Sequence, residues 1–265
     1  MDFYPTRYSE LSNSEINELY RSAVWSDLSR EERLDALQEL ENRAAEELGN
    51  KPCEVCIEQM NGAVYGYYSN GQIVVNENLV IDGILRYEDA EDNILEYAPD
   101  DVNAQIMDTI HHENYHAYQD DAVNGRIEHE NQGEIDLWRA NEDMYISPSD
   151  NDTLYRIQPQ ERSAFGQGEL KTKAAFKEIE SKYGEDTGYQ EYLTTINENS
   201  YESVLTEAKE TYDDEDIQET FDNYMLASYQ ENHMEDNDIE TADTTSSTDS
   251  TADHALDSGS DADAM

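Results

Sequence analysis

The stretch TIHHENYHAYQ, from Thr109 to Gln119, holds three of the six histidines of this 265-residue chain. Apolar residues recur through it at the spacing of three or four that places side chains on one face of an α-helix. Residues four apart on a helix lie one above the other, with Cβ atoms about 5–6 Å apart. His112 and His116 are therefore predicted to be neighbours on one helix. The apolar stripe of that helix would contain Val102, Ile106, Ile110 and Ala117.

A glutamate follows the first of these two histidines, so that His112, Glu113 and His116 form the pattern H-E-x-x-H. Two imidazoles four residues apart can bind one zinc ion, which takes nitrogen ligands at about 2.0–2.1 Å and keeps one tetrahedral corner for water in catalytic sites. Glu113 lies about 100° around the helix from His112. This position predicts that Glu113 is not a ligand but the general base on the zinc-bound water.

A catalytic zinc needs a third protein ligand, and no histidine lies six residues after His116 to supply it. We expect a carboxylate from a later helix. Glu161 is the preferred candidate because it opens a helix whose apolar residues would pack against the motif helix. Its competitors lie in the highly charged stretch RIEHENQGE and are Glu128, His129, Glu130 and Glu134. His111 points away from the pair and is expected to cap a packed face or to hydrogen-bond a carbonyl group.

The oxyanion that forms during hydrolysis needs a further hydrogen-bond donor. Tyr155 is the candidate we assign to this role, and Tyr145 is an equally placed alternative. Because the chain has 19 tyrosines, the choice between them stays open at the level of sequence.

Local signals predict several further helices. Ser29 and Glu32 form a capping box, and the apolar spacing after it continues until Gly49 supplies a stop. Pro159 occupies a position typical of a first helical turn. Trp138, Asn141 and Tyr145 share one face of a predicted short helix. Further helices are predicted at 159–184, 200–211 and 214–230.

Two Asn-Gly pairs, Asn61-Gly62 and Asn70-Gly71, favour the tight turns that join antiparallel strands. They predict a three-stranded meander with strands at roughly 53–60, 63–69 and 72–76. The expected fold class is α+β, with a small antiparallel or mixed sheet, an active-site helix and additional C-terminal helices.

The chain carries 63 acidic and 16 basic residues, a formal net charge of -47 at pH 7. A polyanion repels nucleic acid and anionic membranes, so neither is an expected partner. A cationic protein partner is compatible with this charge. The segment 231–265 consists mainly of Asp, Ser, Thr and Ala and is predicted to be a disordered acidic tail.

Cys53 and Cys56 form the only CxxC of the chain, and a zinc ribbon would need a second pair. They are expected to be small packed residues in a reducing compartment. The first twenty residues contain no apolar run typical of a signal peptide, and no segment approaches 18 consecutive apolar residues. The expected location is the cytoplasm, or outside the cell after export by a route without a signal peptide.

The span from Trp25 to about residue 184 resembles a zincin metallopeptidase domain of the gluzincin type. In particular it resembles the zincin-like domains of bacterial polymorphic toxins and mobile-element proteins, which are often fused to long delivery regions that this sequence does not include. The resemblance is carried by WSDLSREERLDALQELENRAAEELG with the Asn-Gly region after it, by HHENYHAYQ and by YRIQPQERSAF. It implies that His112, His116 and Glu161, in a Q-P-x-E-x-x-A context, bind zinc and that Glu113 is the catalytic base.

The expected function is zinc-dependent hydrolysis of peptide bonds in a protein or peptide substrate, as a toxin or effector, as a mobile-element protease or as a protease for one cytoplasmic regulator. The alternative is a non-catalytic acidic metal-binding or immunity protein with a degenerate zincin site. The expected organisation is an N-terminal helical lead-in at 1–24, a zincin-like metallopeptidase domain at 25–230 and the acidic tail at 231–265.

Overall fold

A computed structural model describes residues 3–62, 64–88 and 93–211 of the chain. Within these ranges the fold is mixed α+β, which confirms the predicted class. The helices are α1 (Asn13–Glu18), α2 (Ser22–Trp25), α3 (Arg30–Leu48), α4 (Val102–Val123), α5 (Gln132–Asp143), α6 (Asp152–Ile157), α7 (Pro159–Tyr183), α8 (Thr187–Glu198) and α9 (Tyr201–Thr211). The strands are β1 (Glu54–Glu58), β2 (Gly66–Ser69), β3 (Gln72–Asn76), β4 (Leu85–Glu88) and β5 (Ile94–Tyr97). The helix predicted at 214–230 and the tail at 231–265 lie outside the described residues.

The helices with strong end signals form where the sequence predicts them. The Ser29 side chain accepts the Glu32 N–H, the Glu32 side chain accepts the Ser29 N–H, and Gly49 ends α3 with a φ of 81°. A residue without a side chain adopts this left-handed conformation at little cost. Pro159 begins α7, where its missing N–H has no intrahelical partner to lose. Helix α8 was not predicted, and its start is capped by the Asp186 side chain.

The predicted meander is wrong in one of its two pairings. Asn70 and Gly71, with φ of 51° and 80°, do form the turn of the β2–β3 hairpin. Strand β1, however, pairs in parallel with β3, and the sheet order is β1-β3-β2. The Asn61-Gly62 turn does not close a hairpin, because the Gly62 N–H donates to the carbonyl oxygen of Arg86 at 2.6 Å and ties this connection to β4.

The two edges of this sheet have different surroundings. Along β1, the Gln38 side chain of α3 donates to the Cys53 carbonyl oxygen at 2.9 Å and accepts the Val55 N–H at 2.8 Å, while Glu41 accepts the Cys53 N–H at 2.6 Å. Helix α3 therefore covers that edge. The outer edge of β2 has no neighbouring strand among the described residues.

Helix α4 runs through the main hydrophobic core. Ile106 and Ile110 from α4 pack in one cluster with residues of α3, the sheet and α7. Ile16 and Tyr20, from the segment predicted as a lead-in, belong to the same cluster and are 1% and 0% exposed. Both cysteines are free, with Cys53 buried and Cys56 half-buried. Among the described helices, none combines the length and the apolar character needed to span a bilayer.

Candidate metal centre

Helix α4 places the two motif histidines side by side. Their Nε2 atoms are 3.0 Å apart, and the ring centroids are 4.7 Å apart in an edge-to-face arrangement. The His112 ring also contacts the Phe165 ring of α7, with centroids 4.5 Å apart. The pair therefore lies where α4 packs against α7.

Glu161, in the first turn of α7, reaches both imidazoles. Its Oε2 atom lies 3.2 Å from His112 Nε2, and its Oε1 atom lies 3.3 Å from His116 Nε2. Two ligand atoms bound to one tetrahedral zinc ion at about 2.0–2.1 Å are themselves about 3.3–3.4 Å apart. The three side chains therefore have close to the spacing of a zinc ligand set. The residue is 1% exposed, and its Oε2 atom is buried without a hydrogen-bond donor.

The start of α7 is fixed by a buried pair of amides. Gln158 accepts from the Asn141 side chain at 2.9 Å and forms two hydrogen bonds with the backbone of Ile146, at 2.9 and 3.1 Å. Asn141 in turn accepts the Gln160 N–H at 2.9 Å. Because Gln158 is the residue before the first turn of α7, this network sets the position from which Glu161 reaches the histidines.

The charges of this cluster are strongly coupled. Burial alone would raise the pKa of Glu161, but His116 and His112 outweigh it and hold the pKa well below the ordinary value. Burial likewise opposes the charged form of His116, yet the carboxylate of Glu161 dominates and raises the His116 pKa to about 9. Without a metal, a proton therefore occupies part of the space between the imidazoles and the carboxylate.

Gln119 fixes the orientation of the second histidine. Its Nε2 group donates to the carbonyl oxygen of Gln160 at 3.0 Å, which directs its Oε1 atom towards His116 Nδ1 at 2.8 Å. An amide oxygen can only accept, so Nδ1 of His116 carries a hydrogen, and Nε2 is the nitrogen that becomes available to a metal when the shared proton leaves. This is the arrangement that a histidine metal ligand requires. Gln119 was not predicted, although its position three residues after His116 places it on the same side of the helix.

Glu113 forms, with His112 and His116, a cluster that could hold a metal ion, with ligand atoms within 4.8 Å of one another. Burial raises the pKa of Glu113, opposed by the two histidines and by a hydrogen bond from the backbone of Tyr68. Two carboxylates thus lie near the pair. We favour Glu161 over Glu113 as the third ligand because both of its oxygens are within 3.3 Å of an imidazole nitrogen.

A cleft of about 430 Å³ opens beside this cluster and is lined by Glu113, His116 and Glu161. Both candidate tyrosines also line it. The Tyr145 hydroxyl donates to Glu161 Oε1 at 2.8 Å and so supports that carboxylate. Tyr155 is half-buried, and burial together with Glu161 raises its pKa, so its hydroxyl stays protonated.

The other predicted candidates do not join the pair. The cluster of potential metal ligands found among the described residues joins His112 and His116 with Glu113, and it includes neither Glu161 nor the competitors in the stretch RIEHENQGE. His129 instead contacts the Tyr118 hydroxyl at 2.7 Å and Glu134 at 2.9 Å. His111 borders a separate cavity of about 260 Å³ between α1, α3 and α7. Burial lowers the pKa of His111 to about 3, so it is neutral.

Comparison of the chain with protein-family models, with curated proteins and with solved structures finds no match. The metal cluster of α4 is compatible with an H-E-x-x-H site. Any assignment of activity therefore depends on the geometry of this cluster and of its cleft.

Proposed function

We propose that the protein is a zinc-dependent metallopeptidase that hydrolyses peptide bonds in a protein or peptide substrate. The observation that carries this proposal is the convergence of His112 Nε2, His116 Nε2 and the Glu161 carboxylate, 3.0–3.3 Å apart, at the wall of an open cleft. Two imidazole nitrogens and one carboxylate oxygen are a common ligand set of catalytic zinc.

A zinc ion bound by this set would polarise a substrate carbonyl group and lower the pKa of a water molecule. His112, His116 and Glu161 are the residues that would hold it. Glu113 has a raised pKa and faces the cleft, which suits a base that takes up a proton near neutral pH. In the proposed reaction Glu113 accepts a proton from the attacking water and passes it to the leaving amine. The oxygen of the water ends on the carbonyl carbon, and the C–N bond breaks.

Tyr155 is proposed as the donor that stabilises the oxyanion. It lines the cleft together with Glu113, and its raised pKa keeps the hydroxyl protonated at neutral pH. Tyr145 already donates its hydroxyl to Glu161, so we assign it to holding the ligand rather than to the substrate. Because Tyr155 also lies close to Glu161, the division of roles between the two tyrosines is part of the proposal.

The sheet supports a peptide as the substrate. Strand β2 is the edge strand of the sheet, and its residues Gly66, Tyr67 and Tyr68 line the same cleft as Glu113. An extended peptide can pair with an exposed strand edge through its main chain, with alternate side chains on either side. A substrate bound in this way would pass directly in front of the proposed base.

The non-catalytic alternative requires a closed site with protein ligands on every side of the metal. Three of the four cluster residues, Glu113, His116 and Glu161, face the cleft, which supports an open site.

Glu113→Gln tests the proposal, because the amide keeps the shape of the side chain but cannot accept the proton. The zinc-loaded wild type is expected to cleave members of a library of fluorescence-quenched peptides. The variant should retain about one zinc per chain and lose at least about 100-fold in cleavage rate, within the range of positioned acid–base catalysis. Glu142→Gln changes another carboxylate that lines the cleft and serves as the matched control. A Glu113→Gln variant as active as the wild type, or a wild type that cleaves no peptide, would contradict the proposal.

A further inference from the structure

The two histidines of the metal cluster differ in the hydrogen bonding of their Nδ1 atoms. His116 Nδ1 is bound to Gln119, whereas His112 Nδ1 has no hydrogen bond within the part of the chain that the structure describes. A histidine that uses Nε2 as a metal ligand carries its hydrogen on Nδ1. His112 is 6% exposed. An N–H group of a buried residue is usually paired with an acceptor, and for metal ligands that acceptor also fixes the ring orientation.

Asp108, on the same helix, has a carboxylate oxygen that could accept such an N–H group. It lies one turn before His112 on α4, and residues four apart on a helix are neighbours. Its Oδ1 atom is buried and has no hydrogen-bond donor among the described residues. Burial raises the pKa of Asp108 to about 7, opposed first by His112 and also by the nearby Tyr192 hydroxyl. Neither that hydroxyl nor Asp108 Oδ1 makes a hydrogen bond of normal geometry among the described residues. The Asp108 acceptor therefore lies one turn from the Nδ1 group of His112.

Helix α7 is shaped to accommodate this carboxylate. A Cβ atom built on Gly168 would lie 2.2 Å from Asp108 Oδ1 and 3.0 Å from the Asp108 carbonyl oxygen. Gly168 follows Glu161 by seven residues, so both lie on the same face of α7. The face of α7 that supplies Glu161 to the histidines therefore also leaves room for the Asp108 side chain.

We propose that Asp108 is a positioning residue that accepts the Nδ1–H of His112 and so directs the Nε2 lone pair of His112 towards Glu161 and His116. The inference rests on the proposed metal site and extends it by one residue. Asp108 itself touches neither the substrate nor the reacting atoms. Its role parallels that of Gln119 beside His116, with a carboxylate in place of an amide.

Zinc affinity of the full chain, measured by competition with a chromophoric chelator, provides the first test. Asp108→Ala, which removes the acceptor, is expected to weaken zinc binding by about 10- to 100-fold, as is typical when the partner of a metal-bound histidine is altered. Asp121→Ala is the control, because it removes a carboxylate from the far end of the same helix, where it is paired with Arg126. Wild-type affinity in Asp108→Ala, or an equal loss in Asp121→Ala, would overturn the inference.

A pair of glycine variants on α7 tests the same idea without changing Asp108. Gly168→Ala should displace the carboxylate and weaken zinc binding in the same way. Gly166→Ala, two residues away on the same helix, meets no atom within 4 Å and should leave the affinity unchanged. An equal effect of the two substitutions would contradict the proposed role of the Gly168 gap.

The tautomer of His112, observed by ¹⁵N NMR, separates failure of this inference from failure of the proposed function. In zinc-loaded wild type the hydrogen is expected on Nδ1 of His112. A wild type that binds no zinc would overturn the proposed function, and the metal-free spectra would then decide about Asp108. With both imidazoles neutral, an Nδ1–H form in the wild type that is lost in Asp108→Ala supports the inference. The same tautomer in both proteins would refute it.

Discussion

Two buried glutamates contact helix α4, and their surroundings give them opposite charge states. Glu161 of α7 is 1% exposed and Glu41 of α3 is 0% exposed. Glu161 faces two imidazoles, which hold its pKa well below the ordinary value. Glu41 faces the backbone N–H of Cys53 and the side-chain amide of Asn114, and burial raises its pKa to about 8.

The difference shows that burial alone does not determine the charge of a carboxyl group. Burial opposes ionisation of both carboxyl groups. The charged imidazoles beside Glu161 offset this cost fully, whereas the neutral donors beside Glu41 offset it only in part. The carboxylate of Glu161 is therefore available to a metal ion. Glu41 is protonated over most of the neutral range and connects α3 to β1 and α4 as a structural group.

The largest effect is expected from replacing Glu161, the ionised one of the two buried glutamates. Glu161→Ala takes away the carboxylate next to both imidazoles and should lower zinc affinity by more than about 100-fold, beyond the losses typical of residues that only support a ligand. Elemental analysis and chelator competition measure the change. Glu178→Ala, on the same helix but paired with Lys182, is the control. Undiminished zinc content in Glu161→Ala would remove Glu161 from the ligand set.

Glu41→Gln should change the pH dependence of stability and leave zinc binding unaltered. Because the folded-state pKa is raised from 4.5 to about 8, the folded chain holds a proton that the unfolded chain loses. The contribution of the Glu41 carboxyl group to the free energy of unfolding is fully present below about pH 4.5. It falls as the pH rises to about 8, by up to about 1.4 kcal/mol per pH unit, and then levels off. Relative to the variant, the wild type should therefore become less stable over this interval.

Urea unfolding of both proteins at pH 5, 6, 7 and 8 measures this difference. Glu46→Gln, on the exposed side of the same helix, controls for the loss of one acidic side chain. A wild type whose stability relative to Glu41→Gln does not change with pH would show that Glu41 is ionised in the folded chain. Loss of zinc in Glu41→Gln would show that the two glutamates are not separate in function.

A smaller effect is expected from Gln119, which supports His116 without carrying charge. Gln119→Ala removes the acceptor of His116 Nδ1 and should weaken zinc binding by about 10-fold. Gln119→Glu keeps an acceptor for His116 Nδ1 but loses the donor to the Gln160 carbonyl oxygen, so it should restore only part of the affinity. If Gln119→Ala binds zinc as tightly as the wild type, the orientation of His116 depends on other contacts.

The sequence predicted the parts of the fold whose signals are local. The capping box at Ser29, the stop at Gly49 and the proline at the start of α7 each act within one helical turn. The Asn70-Gly71 turn joins neighbouring strands and was predicted equally well. The motif helix followed from its own apolar spacing.

The remaining features depend on contacts between distant parts of the chain. The parallel pairing of β1 with β3 depends on where the connection between β1 and β2 runs, and no local pattern specifies that path. Gln119 and Asp108 became notable only when their contacts with α7 were known. Glu41 became notable only through its contacts with Cys53 and Asn114. Glu161 was predicted from its position at a helix start and from a short motif. In the structure it contacts both histidines, which lie at least 45 residues earlier in the sequence.

The position of a bound zinc ion tests the central claim most directly. Anomalous diffraction from crystals of the zinc-loaded protein should give one peak bonded to Nε2 of His112 and His116 and to an oxygen of Glu161, at about 2.0–2.2 Å. The carboxylate of Glu113 should lie beside the peak without a bond to it. No peak between these side chains, or an ion bonded to Glu113 and not to Glu161, would contradict the account.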